Sequence, residues 1–130
     1  MEVFQTHGAF SWNELTTSDP EAAVGFYKSL LGWTTDTMPM PSGLYHVIKV
    51  GGAAIGGIMK TPPEAGAMPP TWSGYVTVEN VDALVAKVPG LGGKVFVPPT
   101  DIPGVGRFCV IADPQGAVIN LITYAAPATP

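Results

Sequence analysis

Charge is scarce in this 130-residue chain, with Asp, Glu, Lys and Arg making up 12% of it against 46% hydrophobic residues. Soluble domains ordinarily carry about a quarter charged residues, so some apolar surface is expected to be covered by a ligand or a partner, with a homodimer the simplest arrangement. Six basic residues stand against ten acidic ones, for a net charge of −4, and they form no cluster. That sign and scatter argue against a nonspecific phosphate-backbone binder, and no nucleic-acid partner is expected. Cysteine occurs once, at Cys109, which rules out an intrachain disulfide and fits a reducing cytoplasm. Residues 1–11 lack the basic start and apolar centre of a secretory signal. No apolar run approaches the ~20 residues that span a bilayer as a helix, so a soluble cytoplasmic protein with no membrane partner is expected.

Glycine and proline, by contrast, are plentiful and punctuate the chain into short elements. Residues 9–17 (AFSWNELTT) have the aromatic and β-favouring character of a strand and run into Ser18-Asp19-Pro20, a capping side chain followed by a proline suited to the first helical turn. From Glu21 to Leu31, Ala22, Ala23, Phe26, Tyr27, Leu30 and Leu31 recur at spacings of three and four, which predicts a helix with one buried stripe ended by Gly32. Three apolar segments follow, Trp33–Met38, Leu44–Val50 and Ala53–Met59, separated by Pro39–Gly43 and by the hairpin signal Gly51-Gly52. Residues 60–71 (KTPPEAGAMPPT) predict an extended connection without regular structure. The order then repeats: strand Trp72–Val78, helix Val81–Val88 capped by Asn80, and strands Lys94–Val97, Gly106–Ala112 and Ala117–Tyr124, the last pair joined by Asp113-Pro114-Gln115-Gly116. Neither half, at about 55 residues, is long enough to bury a core easily alone. The expectation is one α+β domain over residues 1–130, built from modules at about 8–60 and 71–125.

The segment DPEAAVGFYKSLLGW (Asp19–Trp33) and, about eighty residues later, DIPGVGRFCVIADPQGAVINLI (Asp101–Ile122) resemble the vicinal oxygen chelate superfamily, which includes glyoxalase I, extradiol dioxygenases and bleomycin-resistance proteins. The motifs W-x-E-L-x-T-x-D (Trp12–Asp19) and D-I-P-G-V-G-R (Asp101–Arg107) are most similar to a bacterial group of glyoxalase-like proteins also described as hydroxylases. The resemblance implies two βαβββ modules forming a curved mixed sheet around a cleft. Metal-dependent members place one ligand on each of four strands, and those positions fall here at Trp12, Asn120, Gly56 and Ser73, the last two within a residue or two. A catalytic divalent ion needs three or four imidazole, carboxylate or thiolate donors converging on a point, and these four residues do not supply them. No metal and no other cofactor is therefore expected.

Candidate residues carry a functional and a structural reading side by side. Glu14 shares strand parity with Trp12, so both face the cleft if one does. A carboxylate in an apolar cleft can exchange protons near neutral pH as the catalytic acid/base, while the alternative is a solvated or hydrogen-bonded Glu14 at the cleft rim. Trp12 and Trp72 can stack on an aromatic or apolar ligand or simply fill space. Tyr75 and Asn120 can supply hydrogen bonds to the same ligand. His46, one of two histidines with His7, is a ligand-binding candidate or a surface or satisfied histidine. Arg107 can clamp a carboxylate or phosphate, or pair with Asp101 or Asp113. Cys109, among Phe108, Val110 and Ile111, reads as core packing. The glycine pairs lack phosphate-loop spacing.

The resulting expectation is a glyoxalase/bleomycin-resistance-like protein that binds a small aromatic or apolar molecule without metal, either as an acid–base enzyme using Glu14 or as a binding module. The rivals are a divalent-metal-dependent lyase or dioxygenase of the same superfamily, and a non-catalytic structural or interaction domain.

Overall fold

Alternating side chains and glycine-marked turns produce, in the computed structural model, the element order expected; the structure describes residues 1–40 and 43–125. The strands are β1 (Phe10–Thr17), β2 (Thr34–Met40), β3 (Gly43–Val50), β4 (Ala53–Lys60), β5 (Thr71–Thr77), β6 (Lys94–Ile102), β7 (Gly106–Ala112) and β8 (Val118–Tyr124), with helices α1 (Pro20–Leu31) and α2 (Val81–Val85). This is an α+β fold in which the order βαβββ occurs twice. Residues 41–42, inside the predicted separator Pro39–Gly43, lie outside the described residues.

The chain divides into two compact units, one formed by Trp12–Ser73 and the other by Met1–Ser11 with the residues from Gly74 onward. In the first, the strands run β2-β3-β4-β1. β2 with β3 and β3 with β4 are antiparallel, while β1 and β4 are parallel, pairing Glu14 with Gly57 and Leu15 with Ile58. The sheet is therefore mixed. Asp19 caps α1 by accepting from the Ala22 amide at 3.1 Å, Pro20 takes the first helical position, and Gly32 (φ 74°) ends the helix in the left-handed region. Leu15, Ile48 and Ile58 form the core beneath α1, with Ala23, Val24, Tyr27 and Trp33 packed on it.

The buried stripe of α1 differs from the sequence expectation. Ala23 and Tyr27 face the sheet, but Phe26, Leu30 and Leu31 are 59%, 64% and 54% exposed. Spacings of three and four were satisfied by more residues than one face can hold, and contact with Leu15, Ile48 and Ile58 selects the face containing Val24 instead. The connection after β4 is also not wholly irregular, since Pro63–Ala65 form a 3-10 turn.

In the second unit the order is β5-β8-β7-β6, again mixed, with β5 and β8 parallel and the other two pairs antiparallel. Residues 8–9 lie against β5, the Gly8 amide donating to Thr77 O and the Thr77 amide to Ala9 O, both at 2.8 Å. Val78, Val81 and Cys109 form its core, with Leu84, Val85, Ile111 and Leu121 packed around it. α2 is shorter than expected, a 3-10 turn at Pro89–Leu91 following it, though Val88 is still buried. β6 is longer and runs through Pro98-Pro99. It stands last in the strand order, and its register with β7 shifts between Val97 and Thr100, so the two prolines need no ladder donors.

Candidate functional site

β1 carries two sets of side chains because strand residues alternate faces. Leu15 points into the core under α1, so its neighbours Trp12, Glu14 and Thr16 belong to the opposite, helix-free face of the first unit's sheet. The register extends that face across two further strands. Glu14 lies beside Gly57, Gly57 beside Val47, and Tyr45 beside Met59. There the Trp12 indole Nε1 donates to the Tyr45 hydroxyl at 3.0 Å, and Tyr45 in turn donates to Glu14 Oε2 at 2.6 Å. All three side chains are half-buried. The short second bond has the length of a hydroxyl donating to an ionised carboxylate.

Trp12 and Glu14 are thus brought together on one face, as strand parity predicted. Tyr45 was not singled out by sequence reasoning. Its signal, a tyrosine in alternation with Val47 and Lys49 on β3, acquires meaning only when the β1–β4–β3 register is known. Gly57, missed for the same reason, is the β4 position on the face of Glu14, whereas Gly56 pairs with Asn13 and faces the α1 side.

Two further candidates of this unit, Trp72 and His46, lie on its α1 side. Trp72 packs on the α1 side, edge-on to Tyr27 (5.5 Å between centroids) and Trp33 (5.9 Å), with its indole donating to the Tyr27 hydroxyl at 3.2 Å. It borders two open cavities there, of about 400 Å³ with Leu15, Asp19, Phe26 and Tyr27, and of about 290 Å³ with Asn13, Trp33 and Ile48. His46 is also directed away from Glu14. Only 6% exposed, it has Nδ1 2.8 Å from Thr37 Oγ1, while its buried Nε2 lies 3.5 Å from Glu21 Oε1 on α1 without forming a hydrogen bond among the described residues.

In the second unit, Tyr75 and Asn120 are neighbours in the β5–β8 register and both buried. The Asn120 amide donates to Gly74 O at 3.1 Å, and the Tyr75 ring lies 6.5 Å from that of Phe108. Arg107 is on the other face, gripping both carboxylate oxygens of Asp82 (2.8 and 3.0 Å) and one of Asp101 (3.0 Å). Asp82 was not among the anticipated partners, because α2 is brought over β7 only by folding. The Arg107 hydrogen bond holds the Asp82 carboxyl below its ordinary range against a smaller opposing effect of desolvation. Burial pushes the Cys109 thiol up, in keeping with packing rather than nucleophilic chemistry.

The residues present do not fit a divalent ion. On the helix-free face of the first unit Trp12 has no coordinating lone pair and Gly57 no side chain, and in the second unit Asn120 presents a neutral amide whose nitrogen donates to Gly74 O. Among the described residues, no three His, Cys, Asp or Glu side chains are grouped to hold one.

The family model described as Glyoxalase/Bleomycin resistance protein/Dioxygenase superfamily matches residues 9–121. The chain is 43% identical over 119 residues to a protein of Mycobacterium bovis named "Putative glyoxylase CFP32", covering 91% of this chain and 45% of that one. It is 32% identical over 123 residues to "Anthracycline biosynthesis protein DnrV" of Streptomyces peucetius, covering 85% of this chain and again 45% of the relative. The chain therefore spans less than half the length of these curated relatives. Among solved structures, methylmalonyl-CoA epimerase from Mycobacterium tuberculosis superposes with a TM-score of 0.67 at 17% identity, over 92% of this chain and 89% of the other. A variant of the Streptomyces coelicolor methylmalonyl-CoA epimerase in complex with 2-nitronate-propionyl-CoA gives 0.68 at 16%, over 93% and 100%. At such identities these two matches bear on the fold alone.

Proposed function

The chain belongs to the glyoxalase/bleomycin resistance protein/dioxygenase superfamily, and from that premise we propose that it is an ion-independent acid–base enzyme acting on a small, largely apolar carbonyl compound, with Glu14 as the catalytic base. The observation that carries this reading is the hydrogen-bonded chain Trp12–Tyr45–Glu14 on the helix-free face of β1, β3 and β4. A half-buried carboxylate with an oriented hydrogen-bond donor can remove a proton from carbon next to a carbonyl and return it. Val47 and Met59 lie on the same face, and their apolar side chains suit an apolar substrate. The names of the mycobacterial and Streptomyces relatives, a glyoxylase and an anthracycline biosynthesis protein, support small-molecule chemistry. Trp12 lines the ligand beside Glu14 on the first unit, and in the second unit Tyr75 and Asn120, neighbours in the β5–β8 register, are proposed separately as binding residues. Homodimerisation is part of the proposal, since exposed apolar residues on a weakly charged chain need cover.

The test is solvent exchange. In D₂O, a panel of α-carbonyl compounds is followed by proton NMR for deuterium uptake at carbon. The wild-type protein is expected to accelerate exchange of at least one of them, and Glu14→Gln to slow it about 100-fold or more while binding persists. Equal exchange by the mutant removes Glu14 from the chemistry. Saturable binding without exchange by the wild-type protein points instead to a binding module. Treatment with a strong chelator is expected to leave the rate unchanged, and loss of exchange restored by a divalent ion would overturn the ion-independent mechanism.

A further inference from the structure

The Tyr45 ring starts on β3, crosses β4 and ends at β1. Gly57 is the strand position it crosses, lying between Val47 on one side and Glu14 on the other. A Cβ built at Gly57 would fall on the Tyr45 hydroxyl and the adjoining ring carbons. Glycine is thus the residue that leaves this slot open, and the ring occupies the space a side chain of β4 would otherwise fill.

Seated in the slot, the hydroxyl accepts from Trp12 Nε1 and donates to Glu14 Oε2. The two bonds act in the same direction. An indole donor withdraws density from the phenol oxygen and makes its proton a better donor, and that proton stabilises the charged form of the carboxylate. We infer that Tyr45, admitted by Gly57, is a positioning residue that fixes the Glu14 carboxylate in place and holds it in its proton-accepting form. This inference rests on the reading of Glu14 as the catalytic base. In the exchange step, the substrate C–H electron pair stays on the substrate carbon and the proton passes to Glu14. A proton returns from Glu14 to the carbon in the reverse step. Tyr45 keeps its own proton throughout, so its effect is on the readiness of Glu14 and not on the count of protons moved.

The experiment needs no substrate. Glutamate labelled with ¹³C at its side-chain carboxyl is followed by NMR across a pH titration of the intact protein, with the Glu14 resonance assigned by its absence in Glu14→Gln. In Tyr45→Phe, the proton affinity of Glu14 is expected to rise roughly tenfold, the size expected for losing one hydrogen bond to a charged group. Gly57→Ala is expected to displace the ring and produce a rise of the same sign. Trp12→Phe, which keeps the ring seated, should give a smaller one. In the wild-type protein, the Trp12 indole ¹⁵N–¹H resonance should move as Glu14 titrates, and this response should vanish in Tyr45→Phe. A Glu14 midpoint unchanged in folded Tyr45→Phe overturns the inference, whatever Gly57→Ala does. Failure here is distinguishable from failure of the proposed function, because Glu14→Gln tests the latter by exchange rate. Loss of exchange in that mutant with an unmoved titration in Tyr45→Phe would keep Glu14 as base and remove Tyr45 as its positioner.

Discussion

Arg107 and Asp82 show what one residue pair contributes and when. The guanidinium reaches both carboxylate oxygens of Asp82 across the second unit and thereby ties α2 to β7. Both groups are solvent-accessible, so the pair should add modest stability that salt weakens. Its pH dependence has a definite sign. Because the Asp82 carboxyl is held below its ordinary value of 3.8, the folded state binds a proton less readily than the unfolded chain. The contribution is complete above that value and disappears as the pH falls through the lower, folded-state value. Thermal melts should therefore show Arg107→Met less stable than wild type at neutral pH, with the gap closing below pH 3.8. A gap that stayed constant into acid would assign the effect to lost packing of the arginine stem. In the sequence, Arg107 offered Asp101 and Asp113 as nearby partners, and Asp101 is indeed one. Asp82, 25 residues away, could be named only from the packing of α2.

At the scale of the element, α1 separates local from tertiary information. Its beginning and end were legible because capping is local chemistry. Asp19 meets the Ala22 amide three residues on, and Gly32 adopts a backbone conformation that side chains disfavour. Urea unfolding should find Asp19→Ala less stable by about 1 kcal/mol and Asp19→Asn near wild type, since Asn caps as well as Asp. Its buried face was less legible, because six apolar residues at helical spacing cover more of the circumference than one sheet contact takes. Leu30→Ser should cost no more than about 0.5 kcal/mol, at concentrations low enough to dissociate any dimer. Tyr27→Ala, which removes a ring stacked on Trp33 and in contact with Trp72, should cost about 2 kcal/mol or more. Similar losses for both would restore the face expected from spacing. The same division explains β6, whose prolines ended the strand in the sequence reading but are tolerated in the structure by an irregular register at the end of the strand order.

For the whole molecule, a low charge content and exposed Phe26, Leu30, Leu31 and Phe96 predict self-association. Light scattering at micromolar concentration should give twice the mass of one chain, with little change between low and high salt, because apolar association is not screened. A monomer across that range would remove the homodimer from the proposal. No helix among the described residues is long and apolar enough to cross a membrane. What the sequence by itself determined was the repeated βαβββ order, the helix caps, the family motifs and the shared parity of Trp12 and Glu14, all of which depend on residues close in the chain or on strand alternation. Only the tertiary structure decided that Tyr45 joins that pair over Gly57, that His46 and Trp72 lie on the α1 side of the same unit, and that Arg107 reaches Asp82 within the second unit. Those placements follow from strand register and helix packing, where residues distant in sequence meet, and a one-residue change of register exchanges the two faces of a strand.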